Sequence, residues 1–283
     1  MMQKIIAILD GLRFSESTLH YAILIAQRQN AHLTGVFCND FTYNSFNLYE
    51  LLKAGTDQAV IRQLEAADEV KREVSAATFE ASCQKAGIAY SVHRNTNISL
   101  QVALEESIYA DLLIIDARET FVHDKISPPT RYIRDLLADV QCPVLIVPGQ
   151  VWVPSAFNNI TNIVLLYDGE PSSVYAIKMY SYLLPFLQTL PTTVLSVNAE
   201  GNHLVNKHLV KDFIEKHFPD AVYKVMEGVP EKEILNYMIH QQKGTVAVLG
   251  AYRRSTVSRW FRESMADVLM QELSFPLFIA HNK

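Results

Sequence analysis

Residues 4–11, KIIAILDG, and residues 162–169, NIVLLYDG, are two versions of one pattern. Each is a short apolar run, rich in branched side chains, that stops at Asp-Gly. A run this short with no polar alternation reads as a strand covered on both faces, not one with a wet side. Asp-Gly turns the chain, and a serine-containing stretch then leads into an amphipathic segment. That segment runs from about Ser15 to Gln29 in the first copy and from about Ser173 to Leu187 in the second. The serine in each predicts an N-cap, a side-chain oxygen that holds backbone N–H groups left unpaired at a helix start.

Working outward, the ends of the two copies also match. LLIID (112–116) is followed by a loop, a helix near Thr130–Leu137 and the stretch CPVLIVP (142–148). TVAVL (245–249) is followed by Gly250, a loop, a helix near Ser264–Leu273 and FPLFIAH (275–281). Between these landmarks the first copy predicts strands near 32–38 and 89–93, with helices near 58–86 and 99–109. The second predicts strands near 192–197 and 221–227, with helices near 203–217 and 231–242. Apolar strands alternating with helices imply an α/β fold: two tandem open parallel-sheet domains, five strands each, with helices on both faces. The expected division is a first domain over 1–148, a linker over 149–159 and a second domain over 160–283. The linker holds Pro154, Ser155, Asn158 and Asn159, which interrupt regular structure. The Asp-Gly landmarks stand further apart than the X-Pro landmarks, so the first copy carries extra residues in its middle. The richest candidate is an insertion at about 39–56, with Phe41, Tyr43, Phe46 and Tyr49. It reads as a long connection over the C-terminal end of the first sheet.

The chain has 283 residues, enough for two domains that each bury a core, and 49% of them are hydrophobic. It reads as globular throughout. The net charge of −5 argues against a general nucleic-acid binder. The first apolar run, Ile5–Leu9, is too short for a signal peptide or a membrane span, which needs about 20 apolar residues. The expectation is a cytoplasmic protein with no membrane or nucleic-acid partner. Cys38, Cys83 and Cys142 are far apart with no C-x-x-C pair, as expected of buried thiols in a reducing compartment.

Two features together carry a family resemblance: the strand ending in Asp-Gly before a serine-bearing helix, and the final unit of strand, glycine loop, helix and X-Pro-apolar strand. Residues 248–281, VLGAYRRSTVSRWFRESMADVLMQELSFPLFIAH, resemble the C-terminal unit of the universal stress proteins. Residues 163–184, IVLLYDGEPSSVYAIKMYSYLL, resemble the N-terminal unit. The first copy, with ILDGLRFSESTLHYAILIA and CPVLIVP, is similar but more divergent. The chain thus looks like a tandem universal stress protein, and the resemblance covers nearly all of it outside the linker and 39–56. It implies an adenine nucleotide alpha hydrolase-like fold, and domains paired through their last strands as a pseudo-dimer within one chain. Further association into a homodimer is compatible with it. Many family members bind ATP or a related adenine nucleotide through a loop written G-x-x-G-x9-G-[ST]. There glycines admit phosphate oxygens to backbone N–H groups at a helix start.

That loop is degraded in both copies. In the second, Gly250 stands at the first glycine, Arg253 at the second, Glu263 at the third and Ser264 at the hydroxyl. In the first, Asp116, Glu119 and about Pro129 replace the glycines, with Thr130 at the hydroxyl. The resemblance places Asp168, Val197, Gly250, Arg253, Ser264 and Met265 at a candidate second-domain cofactor site, and Asp10 and Thr130 at a weaker first-domain one. Ordinary ATP binding is not expected in the first copy and is expected to be poor in the second. Arg253, Arg254, Arg259 and Arg262 have two readings: a site for a small anionic ligand or acidic partner, or arginines paired with Glu263 and Asp267 on a solvated surface. Asp10 and Asp168 could line a crevice or simply accept hydrogen bonds where the helices begin.

No catalytic or metal set is evident. His203 and His208 are five apart, the wrong spacing for one helical face. His123-Asp124 lacks a nucleophile in evident triad relation. The chain has no G-x-x-x-x-G-K-[ST] loop, H-x-G-H pair or S-G-G-x-D-S loop, which argues against a nucleotidyl transferase. The expected function is a cytoplasmic stress-response binding or signalling module with a degenerate phosphate loop, more a non-enzyme than an enzyme. The alternative is an ATP-binding, slowly hydrolysing universal stress protein. ATP or another adenine nucleotide is the cofactor class the resemblance suggests.

Overall fold

The computed structural model describes residues 3–39, 43–123, 127–149, 160–199, 201, 203–241, 244–250 and 264–280. Phe41, Asp124, most of the expected linker and the whole of 251–263 lie outside the described residues. So do Arg253, Arg254, Arg259, Arg262 and Glu263. The chain divides into two compact units, Met1–Gln141 and Cys142–Lys283.

In the first unit β1 (Lys4–Leu9) pairs in parallel with β2 (His32–Cys38) and with β4 (Leu112–Asp116). β2 pairs in parallel with β3 (Tyr90–Asn95), which gives the order β3-β2-β1-β4. The side chains of β1 from Ile5 to Leu9 are buried, as are all five residues of β4. Each such aliphatic side chain contributes roughly 1.5–3 kcal/mol on leaving water. Helices α1 (Glu16–Gln29), α2 (Leu48–Lys53), α3 (Gln58–Ala86), α4 (Ser99–Ile108) and α5 (Arg131–Asp139) complete this part of the chain. α1 packs on α3 and α4 on α5. Right-handed crossovers between parallel strands place those two pairs on opposite faces of the sheet.

In the second unit β6 (Asn162–Leu166) lies between β7 (Thr192–Asn198) and β9 (Thr245–Gly250), all parallel. β8 (Val222–Glu227) adds to β7, and β10 (Leu277–Ala280) to β9. The last strand of the first repeat, β5 (Val144–Val147), belongs to this unit and runs antiparallel to β10, with Leu145 opposite Phe278. Both strands are wholly buried, so each covers an apolar edge that would otherwise invite association. The helices are α6 (Pro171–Leu183), α7 (Lys207–His217), α8 (Pro230–Ile239) and α9 (Met265–Glu272). Tyr180 of α6, fully buried, joins α6 to β10 through Phe278, with ring centroids 5.2 Å apart.

The two helix starts differ. Ser15 caps α1 as expected, its oxygen accepting from the Thr18 N–H at 3.2 Å. Ser173 does not cap α6, which begins two residues earlier with Pro171 in the first turn and Glu170 as a cap without a side-chain bond. Pro171 supplies a helical φ and needs no N–H partner, so the start moves to it. Ser173 instead donates to the Glu170 carbonyl at 2.9 Å. The expected helix over 173–187 ends at Leu183, and a separate 3-10 turn covers Pro185–Leu187. The expected helix from 203 begins at Lys207, because Asn206 takes a left-handed conformation. The insertion is not a plain connection either. It contains α2, capped by Asn47, with no buried residue.

The three cysteines are buried, and none forms a disulfide among the described residues. No described helix is long and apolar enough to cross a membrane.

Candidate functional site

Open parallel sheets place ligands beyond the C-terminal ends of their strands, where the order reverses. In each repeat that point lies between the first strand and the fourth. The two repeats treat it in opposite ways.

In the first unit the ends of β1 and β4 bring Asp10 and Asp116 in beside the loop that carries Glu119, and all three are buried. Asp10 uses both oxygens. One accepts from the Leu12 N–H at 2.7 Å, which shapes the Asp-Gly turn. The other accepts from the Tyr43 hydroxyl at 2.9 Å and lies 3.4 Å from Nε of Arg13. Arg13 Nε also donates to the Tyr43 oxygen at 2.8 Å, so the phenol bridges cation and carboxylate. A guanidinium nitrogen of Arg13 reaches on to Thr120 Oγ1 at 3.0 Å and to the Val122 carbonyl. The guanidinium lies 5.4 Å from the centroid of the Tyr43 ring.

Tyr43 comes from the insertion, and α3 fixes it there. Arg72 donates to the Tyr43 carbonyl at 2.8 Å. Two residues on, the buried Asp68 accepts from the Ser45 N–H at 2.7 Å and from its hydroxyl. The insertion aromatics thus divide. Tyr43 packs onto its own domain at the mouth of the crevice, while Tyr49 is exposed.

Asp116 accepts from the Ser15 hydroxyl at 2.8 Å and forms an ion pair with Arg118 at 3.2 Å. Among the described residues Glu119 forms no ion pair of this kind. Its carboxyl accepts from the Thr120 N–H at 3.0 Å and weakly from that of Phe121. Burial first, then the charges of Asp10 and Asp116, push the Glu119 carboxyl up to about 8. Burial thus favours its protonated form. Thr130 is buried, caps α5 through the Ile133 N–H at 3.2 Å and donates to the Glu119 carbonyl. Asp10 and Thr130 therefore serve the protein's own backbone and side chains. Arg13, Tyr43 and Glu119 occupy the space where a crevice would open.

In the second unit Asp168 is exposed. Its carboxylate accepts from the local Glu170 N–H at 2.9 Å. Gly169 has φ +84°, and a Cβ there would lie 2.6 Å from Val205. Val197 is buried near the end of β7, two strand positions beyond the β6 pairing. Gly250 ends β9 against the first turn of α6, and a Cβ on it would come within 2.6 Å of the Ser172 backbone. It is the one loop glycine retained, and α6 itself requires it. Ser264 caps α9 by accepting from the Asp267 N–H at 3.1 Å, and Met265 is the first residue of that helix. Asp168, Val197 and Gly250 thus stand at or near strand ends, and Ser264 and Met265 at the start of α9. Arg253 lies outside the described residues.

Among the described residues no group of His, Cys, Asp and Glu could hold a metal ion. His203 and His208 are exposed.

No family model matches the sequence, and no curated protein matches it. Solved structures do. A universal stress protein from Archaeoglobus fulgidus DSM 4304 superposes with a TM-score of 0.70 at 14% identity, covering 98% of each chain. A functionally unknown protein from Pseudomonas aeruginosa PAO1 superposes with a TM-score of 0.60 at 14% identity, covering 99% of this chain and 92% of that one. The chain has the α/β fold of the universal stress proteins, repeated twice.

Proposed function

We propose that this chain, with its doubled universal stress protein fold, is a stress-response binding module that works in the cytoplasm and uses one crevice of two. The observation that carries the reading is the contrast between equivalent aspartates. Asp10 is buried under Tyr43 and Arg13, whereas Asp168, at the equivalent strand end, is exposed. The first repeat then serves as a structural or partner-binding half. The pairing of β5 with β10 supports reading the repeats as a dimer within one chain.

The second repeat is the ligand half. A helix start such as that of α9 favours an anion, and an exposed aspartate suits a ribose or adenine edge. Arg253 and Glu263 in place of glycines hinder the close backbone approach a triphosphate needs, and Glu263 adds a like charge. A small anion, or a nucleotide held other than by the triphosphate cradle, fits better than ATP itself. The dissociation constant for ATP is expected to be weaker than about 100 μM, less than roughly 5.5 kcal/mol of binding. Calorimetry tests this directly. Low-micromolar ATP binding, abolished by Arg253→Ala, would make that arginine a ligand-binding device and overturn the reading.

The alternative, an ATP-binding and slowly hydrolysing protein, draws on the retained Gly250, Ser264 and exposed Asp168. The double variant Arg253→Gly, Glu263→Gly separates the two readings. A gain of ATP affinity means the rest of the crevice is intact and only the loop had closed it.

A further inference from the structure

α3 is 29 residues long and has two faces. One is buried on its own domain through Ile61, Asp68, Ser75, Ala76, Phe79 and Cys83. On a seven-residue wheel these are all b, c and f positions. The opposite a/d stripe is exposed and holds Val60, Ala67, Val70, Val74, Ala77 and Ala81, with Gln63 among them. Val60 is 45%, Val70 63% and Val74 59% exposed.

Single exposed apolar residues need no explanation, but a 3-4 line of six interrupted only by Gln63 does. From Val60 to Ala81 the stripe extends about 32 Å at 1.5 Å per residue and carries no charge. Helix stability does not account for it, since valine is a poorer helix former than the lysine or glutamate usual on a wet face. Four of the eight flanking e and g positions are charged: Lys71 and Lys85 at e positions, Glu73 and Glu80 at g positions.

We propose that this face of α3 is a homodimer surface, on which a second copy of the chain lays its own α3 parallel and in register. The flanking charges select both partner and direction. Parallel helices bring g of one against the following e of the other, so Glu80 meets Lys85 of the partner subunit, twice by symmetry. Antiparallel helices bring e against e and g against g, which sets lysines and glutamates against their own kind. Glu73 is already tied to Arg94 of β3, and Lys71 to Asp68, so Glu80 and Lys85 specify the pairing. Alanine at three stripe positions lets the helices approach closely, while the valines supply the apolar contact. The buried b, c and f face keeps each domain on the far side of its helix, clear of the partner.

The test uses the full chain in sedimentation equilibrium from about 1 to 200 μM, a range that detects even weak association. The wild type is expected to show a concentration-dependent dimer, and Val70→Glu with Val74→Glu to be monomeric throughout. Both substitutions lie on an exposed face, so the circular dichroism and melting temperature of the variant should match the wild type. Orientation is read separately. Val70→Cys should oxidise to a disulfide-linked dimer with itself, because parallel in-register helices set residue 70 against residue 70. A wild type monomeric at every concentration would overturn the proposal and leave the stripe to a different protein. So would dimerisation that survives the double substitution. Linkage of Val70→Cys only to a chain bearing Val74→Cys would overturn the parallel arrangement.

Discussion

Replacing Glu119 by glutamine should make the protein more stable at neutral pH and remove most of a pH dependence. The carboxyl of Glu119 is buried beside two other buried carboxylates and titrates at about 8 in the fold, against 4.5 when unperturbed. The folded-state value is raised, so the folded chain holds a proton that the unfolded chain has already released. Stability therefore falls as pH rises from 4.5 to about 8 and is level on either side of that window. Each pH unit inside the window costs about 1.4 kcal/mol. At pH 7 the accumulated cost is about 3 kcal/mol, a large share of the 5–15 kcal/mol that keeps a typical domain folded. Glutamine retains an oxygen to accept from the Thr120 N–H and carries no charge at any pH. Urea denaturation at pH 5, 6, 7 and 8 measures the effect. The wild type should lose stability steadily across the series. The Glu119→Gln variant should show a much flatter profile and exceed the wild type most at pH 8. Equal slopes for the two proteins would refute the assignment of Glu119 as a buried, protonated acid.

The other predictions concern contacts around the same two switch points. Tyr43→Phe removes a hydroxyl that donates to Asp10 and accepts from Arg13, and should cost about 1–3 kcal/mol in denaturation with the fold retained. An unchanged midpoint would mean the insertion does not seal the crevice. Deleting 41–54 should cost more than Tyr43→Phe, because it also leaves the buried Asp68 without Ser45. Equal denaturation midpoints for the deletion and the wild type would show that the insertion packs nothing. Gly250→Ala drives a methyl to within 2.6 Å of the Ser172 backbone and should destabilise the second unit by about 1–3 kcal/mol even without ligand. A variant as stable as the wild type would show that α6 does not require this glycine.

The fold was legible because its landmarks are local. Asp-Gly after five apolar residues, and X-Pro before a last strand, act within a few residues, and their recurrence implied two repeats. The span of α3 and the strands β2, β4 and β9 followed from length and periodicity alone. The start of α6 was misread because Pro171 and Ser173 both favour a helix start, and the proline took the first turn. α2 was missed because LYELLK buries nothing, so no amphipathic period marks it. At the candidate site Glu119 and Thr130 were read from the spacing of the degraded loop, and Asp10 from the family resemblance. The closure of the first crevice was not. It depends on Arg13 meeting Tyr43 thirty residues away, and nothing in either residue's neighbourhood announces the other. The one hint was an aromatic-bearing insertion in the same repeat that had lost every loop glycine.

The central claim is that the first crevice is sealed and the second repeat is the ligand half, and amide chemical-shift mapping during an ATP titration to millimolar concentration tests it even if binding is weak. The account predicts shifts at Asp168, Val197, Gly250, Ser264 and Met265 that saturate with a dissociation constant weaker than about 100 μM, and none at Asp10, Glu119 or Thr130. Saturating shifts around Asp10 and Thr130, matching those in the second repeat, would contradict it.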